Sequence, residues 1–156
     1  MALTQTLFDK LIAQGVILTT AESCTGGLIA SQITSFAGSS AIFDRGFVTY
    51  SNQSKIAMLD VDAQTIENFG AVSEQTAMEM AEGALKNSMA TLSVSVTGIA
   101  GPDGGTADKP IGTVCIGLGR AGLTTKTHRF LFEGDREAVR TQTVAKAFEL
   151  IEKVLP

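Results

Sequence analysis

Three polar clusters in the chain carry side chains able to do chemistry. The first is Glu22-Ser23-Cys24-Thr25-Gly26-Gly27, a carboxyl group, a hydroxyl and a thiol followed by a glycine pair. It lies between a short β-branched run and a helical segment. A helix beginning there presents backbone N–H groups and the positive end of its dipole, which suits an anion. A plainer reading makes Thr25 an N-cap and the glycines a tight turn. That accounts for Thr25 and one glycine but leaves Glu22, Ser23 and Cys24 without a role. The second cluster joins Gly38-Ser39-Ser40 to Val48-Thr49-Tyr50-Ser51-Asn52-Gln53-Ser54-Lys55. A serine attacks only when a base takes its proton. The one histidine, His128, falls in the middle of an extended segment and reads as structural. Lysine or tyrosine is left as the base. A lysine titrates near ~10.4 and must be lowered to serve. If Asn52 caps a helix, Lys55 falls in its first turn, where the dipole disfavours the ammonium. A surface Lys55 and a core Tyr50 fit the spacing equally well. The third cluster is the glycine-rich stretch 98–113, with Gly98, Gly101, Gly104, Gly105 and Gly112. Glycines let backbone approach a ligand closely and offer bare N–H donors.

Rival chemistries are visible in the same residues. Serine with Tyr-x-x-x-Lys is the pattern of short-chain dehydrogenases, but four residues separate Tyr50 from Lys55 and the N-terminal glycine fingerprint is missing. No Gly-Lys-Ser or Gly-Lys-Thr follows the glycines, so there is no Walker loop. Cys24 is a rival nucleophile if a helix N-terminus lowers its pKa. One histidine, two separated cysteines and scattered carboxylates give no metal-ligand spacing. Arg136 and Arg140, at the start of the last helix, offer guanidinium forks suited to phosphate.

These side chains must be held by a modest frame. The chain has 156 residues, 44% of them apolar and 18% charged, which predicts one globular domain. A net charge of -4 argues against a nucleic-acid partner. No apolar run approaches a membrane span. Two cysteines form no disulfide framework. With no basic-then-apolar leader at the N-terminus, a cytoplasmic location is expected. A homo-oligomer is compatible with the sequence.

Periodicity predicts helices over 3–14, 28–35, 53–59, 62–68, 73–87 and from Asp135 onward, the last with Val144, Phe148, Ile151 and Leu155 inward. Strands are predicted at 16–20, 46–51, 91–97, 112–118 and 124–132. The fold class is therefore α/β, a single three-layer α/β/α sandwich with a mixed, mostly parallel sheet of about five strands. The back-to-back strands over 112–132 imply a hairpin, so the sheet is not all parallel.

The runs Thr20-Ala21-Glu22-Ser23-Cys24-Thr25-Gly26-Gly27, Gly38-Ser39-Ser40, Gly46-Phe47-Val48-Thr49-Tyr50-Ser51-Asn52, Gly70-Ala71-Val72-Ser73 and Gly98-Ile99-Ala100-Gly101-Pro102-Asp103-Gly104-Gly105 resemble the CinA C-terminal-domain family. The resemblance covers about residues 16 to 150 and is strongest to the stand-alone amidase form of that family. It implies hydrolysis of nicotinamide mononucleotide to nicotinate mononucleotide and ammonia, a step in pyridine-nucleotide recycling, without a cofactor. It implies Ser40 as nucleophile, with Tyr50 and Lys55 as its activators. Ser23, Thr97 and Arg136 would line the substrate site, with Thr25, Gly26, Gly27, Gly98, Gly101, Gly104 and Gly105 holding phosphate and ribose. A nucleotide-binding module without chemistry, or an amidohydrolase using Cys24, would use the same glycine loops.

Overall fold

The structure, a computed structural model, describes residues 3–156. Five strands form one sheet: β1 (Leu18–Glu22), β2 (Phe43–Val48), β3 (Leu92–Gly98), β4 (Thr113–Arg120) and β5 (Lys126–Leu131). Their order is β2-β1-β3-β4-β5. β2 and β3 flank β1 in parallel, whereas β4 runs antiparallel between β3 and β5. Four strands thus point one way and β4 alone opposes them. The helices are α1 (Gln5–Ala13), α2 (Leu28–Thr34), α3 (Asn52–Leu59), α4 (Ala63–Phe69), α5 (Glu74–Lys86) and α6 (Arg136–Val154).

The core divides on the two sides of the sheet. Leu7, Leu11, Ile29, Ile33, Phe148 and Ile151 pack with Leu18, Val94, Val96 and Ile116, so α1, α2 and α6 cover one face. Leu59, Val61, Met80 and Ala84 pack with Ala21, so α3, α4 and α5 cover the other. The expected α6 stripe of Val144, Phe148, Ile151 and Leu155 is buried throughout.

The central strand β3 alternates Leu92, Val94, Val96 with Ser93, Ser95, Thr97. Such alternation usually marks one dry and one wet face. Here both faces are buried. The hydroxyl face meets α5 so closely that Ser93 Oγ donates to the Ala81 carbonyl (2.7 Å) and Ser95 Oγ to the Ala77 carbonyl (2.6 Å). Small residues permit this approach. A Cβ added at Gly117 of β4 would lie 2.6 Å from the Ala77 oxygen and 2.6 Å from Ser95 Oγ. Gly117→Val is therefore expected to cost about 3 kcal/mol by overpacking and to lower Tm by roughly 10 °C in a thermal melt.

Several boundaries differ from the sequence expectation, among them β1, which spans Leu18–Glu22 rather than 16–20, β2 and the start of α3. β2 starts at Phe43, not Gly46, and ends at Val48. Asp44 and Arg45 lie on the sheet's edge strand, where charged side chains reach solvent and blur the strand signal. The cap of α3 is Ser51, whose Oγ accepts from the Ser54 N–H, and Asn52 is the first helical residue.

Candidate active site

β1, β2 and β3 end together, and the residues that follow them meet. In open α/β sheets such carboxyl ends are where ligands bind. Ser23 follows β1, Thr49 and Tyr50 follow β2, and Thr97 and Gly98 end β3. A cavity of about 210 Å³ lies there, lined by Ser23, Lys55, Tyr50, Thr97, Gly98 and Arg136 among others.

Lys55 heads the largest fully buried side chains of the protein and is 1% exposed. Its Nζ lies 2.9 Å from Ser23 Oγ, 2.9 Å from the Thr49 carbonyl and 3.2 Å from the Tyr50 carbonyl. Two of these partners are carbonyls and only accept. A neutral amine has two N–H groups and one lone pair. In this structure the amine donates to Ser23 Oγ as well, and the Ser23 hydroxyl donates to the Tyr50 carbonyl (3.4 Å); once neutral, with both N–H groups on the carbonyls, the amine turns its lone pair to that hydroxyl. Amine and hydroxyl are thus within the hydrogen-bond reach that proton transfer between them requires. Burial pushes the Lys55 pKa below the ordinary lysine range, which favours that neutral form.

Ser40 is not part of this arrangement. It sits in a short 3-10 turn over Ser39–Ala41, exposed, just before β2 begins. The Leu18 N–H donates to the Ile42 carbonyl, which fixes that turn at the start of β1, whereas Ser23 follows its end. The length of β1, about 13 Å at ~3.3 Å per residue, separates them. Ser40 therefore does not reach Lys55, and the hydroxyl that does is Ser23. Tyr50 also differs from expectation. Its carbonyl faces Lys55, but its phenol accepts from Arg136 Nη2 (3.1 Å) and is exposed. It lines the cavity, and no hydrogen bond joins its phenol to a serine among the described residues.

The turn after Ser23 is built around a buried acid. Glu22, 1% exposed, accepts from Thr25 Oγ1 (2.6 Å) and the Ile29 N–H (2.9 Å) through Oε1, and from the Ala30 N–H (3.1 Å) through Oε2. The start of α2 thus carries its own resident acid, and the expected anion seat there is filled from inside. The Thr25 side chain is fully buried on Glu22, so it neither caps α2 nor lines the cavity. Gly27, at φ 105, is the cap. Cys24 lines the cavity, but burial pushes its thiol up to about 12. It is a protonated thiol at neutral pH, which removes it as an activated nucleophile.

Of the other expected ligands, Gly98 lines the cavity and the Gly101 carbonyl accepts from Arg136 Nη1 (2.8 Å). Gly104 and Gly105 are exposed and lie outside the lining. Thr97 Oγ1 donates to the Ala71 carbonyl (2.8 Å), holding the 71–72 segment as a wall. Asn52, Ala71, Val72 and Ala100 complete the lining; all four fall within the sequence runs quoted above, but none was expected to line the site. No cluster of metal-ligating side chains occurs among the described residues, and no helix among them is long and apolar enough to cross a membrane.

The fold is a mixed α/β/α sandwich that sets a buried lysine against a serine at the carboxyl ends of its parallel strands. The CinA C-terminal domain model matches residues 1–155, and the chain belongs to that family. It is 50% identical over 151 residues to nicotinamide-nucleotide amidohydrolase PncC of Escherichia coli K12, covering 97% of this chain and 92% of that protein. It is 58% identical over 132 residues to the protein of the same name from Enterobacter agglomerans, covering 85% and 80%. The crystal structure of a CinA-superfamily protein from Klebsiella pneumoniae 700603 superposes with a TM-score of 0.91 at 40% identity, over 96% of this chain and 92% of that one.

Proposed function

We propose that this protein hydrolyses the carboxamide of nicotinamide mononucleotide, releasing ammonia and nicotinate mononucleotide, through an acyl-enzyme on Ser23. The contact of Lys55 Nζ with Ser23 Oγ at 2.9 Å carries the reading. The relatives named nicotinamide-nucleotide amidohydrolase support the substrate.

Lys55 takes the Ser23 proton as Oγ attacks the carboxamide carbon. The Thr25 backbone N–H, which has no partner among the described residues, is the donor for the developing oxyanion. Collapse of the tetrahedral intermediate breaks the C–N bond, and the leaving nitrogen departs as ammonia with the proton from Lys55. Water, deprotonated by the same amine, then cleaves the ester and returns the proton to Ser23. Hydrolysis by this route uses no cofactor, and its product re-enters pyridine-nucleotide recycling. Ammonia release from nicotinamide mononucleotide by the purified protein tests the activity.

The base must be neutral, so kcat/KM is expected to rise with pH and level off below ~10.4, the ordinary lysine pKa. Folded Lys55 holds its proton less tightly than the unfolded chain does. Its own contribution therefore makes folding more favourable as pH rises from its folded pKa towards the ordinary value. A pH–rate profile with its inflection at or above the ordinary value would remove Lys55 as base.

Arg136 lines the cavity at the exposed start of α6. Two of its five N–H groups are used on Gly101 and Tyr50, leaving the others for substrate phosphate. Arg136→Ala is expected to raise KM about 10-fold with kcat changed little, since a phosphate contact binds ground and transition states alike. Steady-state kinetics reads this directly.

A further inference from the structure

Arg140 lies one helical turn beyond Arg136, but its guanidinium does something different. Nε donates to the Cys24 carbonyl (3.0 Å) and Nη2 to the Thr25 carbonyl (3.4 Å). It bridges the two successive carbonyls that follow Ser23. We infer that Arg140 is a positioning residue that sets the Thr25 backbone N–H for the oxyanion, rather than a ligand for the substrate phosphate.

The inference rests on Ser23 being the nucleophile, as proposed above, and the argument is one of peptide geometry. In a trans peptide the carbonyl and the following N–H point in opposite directions. Fixing the Cys24 carbonyl on Arg140 turns the Thr25 N–H away from it. The Thr25 N–H has no hydrogen-bond partner among the described residues. A buried N–H without a partner is uncommon and calls for one. An oxyanion forming on Ser23 would supply it during each turnover.

The rest of the turn is already held elsewhere. The Ser23 N–H donates to the Val96 carbonyl on β3 (3.0 Å), and Glu22 secures the start of α2 from inside. The Thr25–Gly26 peptide is held as well, since the Gly26 N–H donates to the Ser23 carbonyl (3.1 Å) and the Thr25 carbonyl accepts from the Leu28 N–H (3.1 Å). The Cys24–Thr25 peptide is what remains to be fixed, and Arg140 Nε grips its carbonyl. Gly26, at φ +56, takes the left-handed conformation that turns the chain directly after these carbonyls. The frame behind Arg140 is rigid, since Val139, Thr143 and Val144 on either side of it are buried. Arg140 itself is half-buried, whereas Arg136 is exposed.

The test compares nicotinamide mononucleotide with nicotinamide riboside, the same carboxamide without phosphate. Arg140→Met is expected to lower kcat/KM by roughly 30-fold on both substrates, below the 10²–10³ that losing an oxyanion donor outright removes. On the mononucleotide the loss falls in kcat and KM moves less than threefold. Arg140→Lys, one point donor in place of a fork, recovers part of it. Arg136→Ala loses on the mononucleotide alone. A loss by Arg140→Met confined to the mononucleotide and carried in KM would make Arg140 a phosphate ligand and overturn the inference. So would unchanged kinetics, or a loss matched by a Tm fall above about 10 °C, which would mark a merely structural role. Wild-type protein releasing no ammonia from either substrate would instead sink the amidase reading itself.

Discussion

Ser23→Ala is expected to lower kcat for ammonia release by about 10⁴-fold, and Lys55→Met by about 10³-fold, with Ser40→Ala within twofold of wild type. Removing the nucleophile removes the covalent route. Only the slower attack by water in the same cavity then remains. Removing the amine leaves a serine with carbonyl neighbours, which accept protons' hydrogen bonds but do not take the proton. Lys55→Arg is expected to be as inactive as Lys55→Met, because a guanidinium stays protonated throughout the working range. Fold retention is checked by circular dichroism, since Lys55→Met exchanges a desolvated amine for an apolar chain of similar length. Ser40 is exposed, at the other end of β1, and touches none of these groups. A Ser40→Ala protein without activity beside an active Ser23→Ala would restore Ser40 and dismantle the mechanism.

The second large effect concerns stability. Glu22→Ala is expected to lose about 4 kcal/mol, a Tm fall of roughly 12 °C, and Glu22→Gln about 3 kcal/mol. Both carboxyl oxygens accept: Oε1 from a hydroxyl and a backbone N–H, Oε2 from a second N–H. Alanine leaves those donors buried and unpaired. Glutamine keeps the shape but places an NH₂ group against a donor on one side, whichever way the amide is turned. The isosteric change thus reports on hydrogen bonding rather than on volume. Activity should fall as well, because the same bonds fix the turn that begins at Ser23. Thermal melts of the two variants within 2 °C of wild type would show that Glu22 is not the anchor of that turn.

Much of the frame was legible in the sequence, for reasons that are local. Alternation in 91–97, the glycine bounds of the strands, Ser73 and Asp135 as caps, and the Val144-Phe148-Ile151-Leu155 stripe all depend on neighbours within a few residues. Each found its place except Gly46, which lies inside β2 rather than at its start. The presence of Lys55 and of the Glu22-Ser23-Cys24 cluster was legible too, since polar residues crowded beside a strand end need a reason.

Which serine pairs with which base was not legible. Lys55 is 32 residues from Ser23 and only 15 from Ser40, so proximity in sequence favours the wrong partner. The choice is made by parallel pairing of β1 with β2, which brings Glu22 opposite Val48 and so carries Ser23 to the segment beginning Thr49-Tyr50. The same pairing sets Phe43 opposite Leu18 and leaves Ser40 at the far end. Likewise, two arginines one turn apart on α6 look alike in sequence. Only the packing of α6 against the turn after β1 sends Arg140 to the Cys24 and Thr25 carbonyls and leaves Arg136 at the cavity. Residue types and local periodicity therefore determined the elements and the chemical inventory. Strand register and helix packing decided which members of that inventory touch, because proton transfer and hydrogen bonding act over about 3 Å and no spacing along the chain encodes such a distance between separate elements.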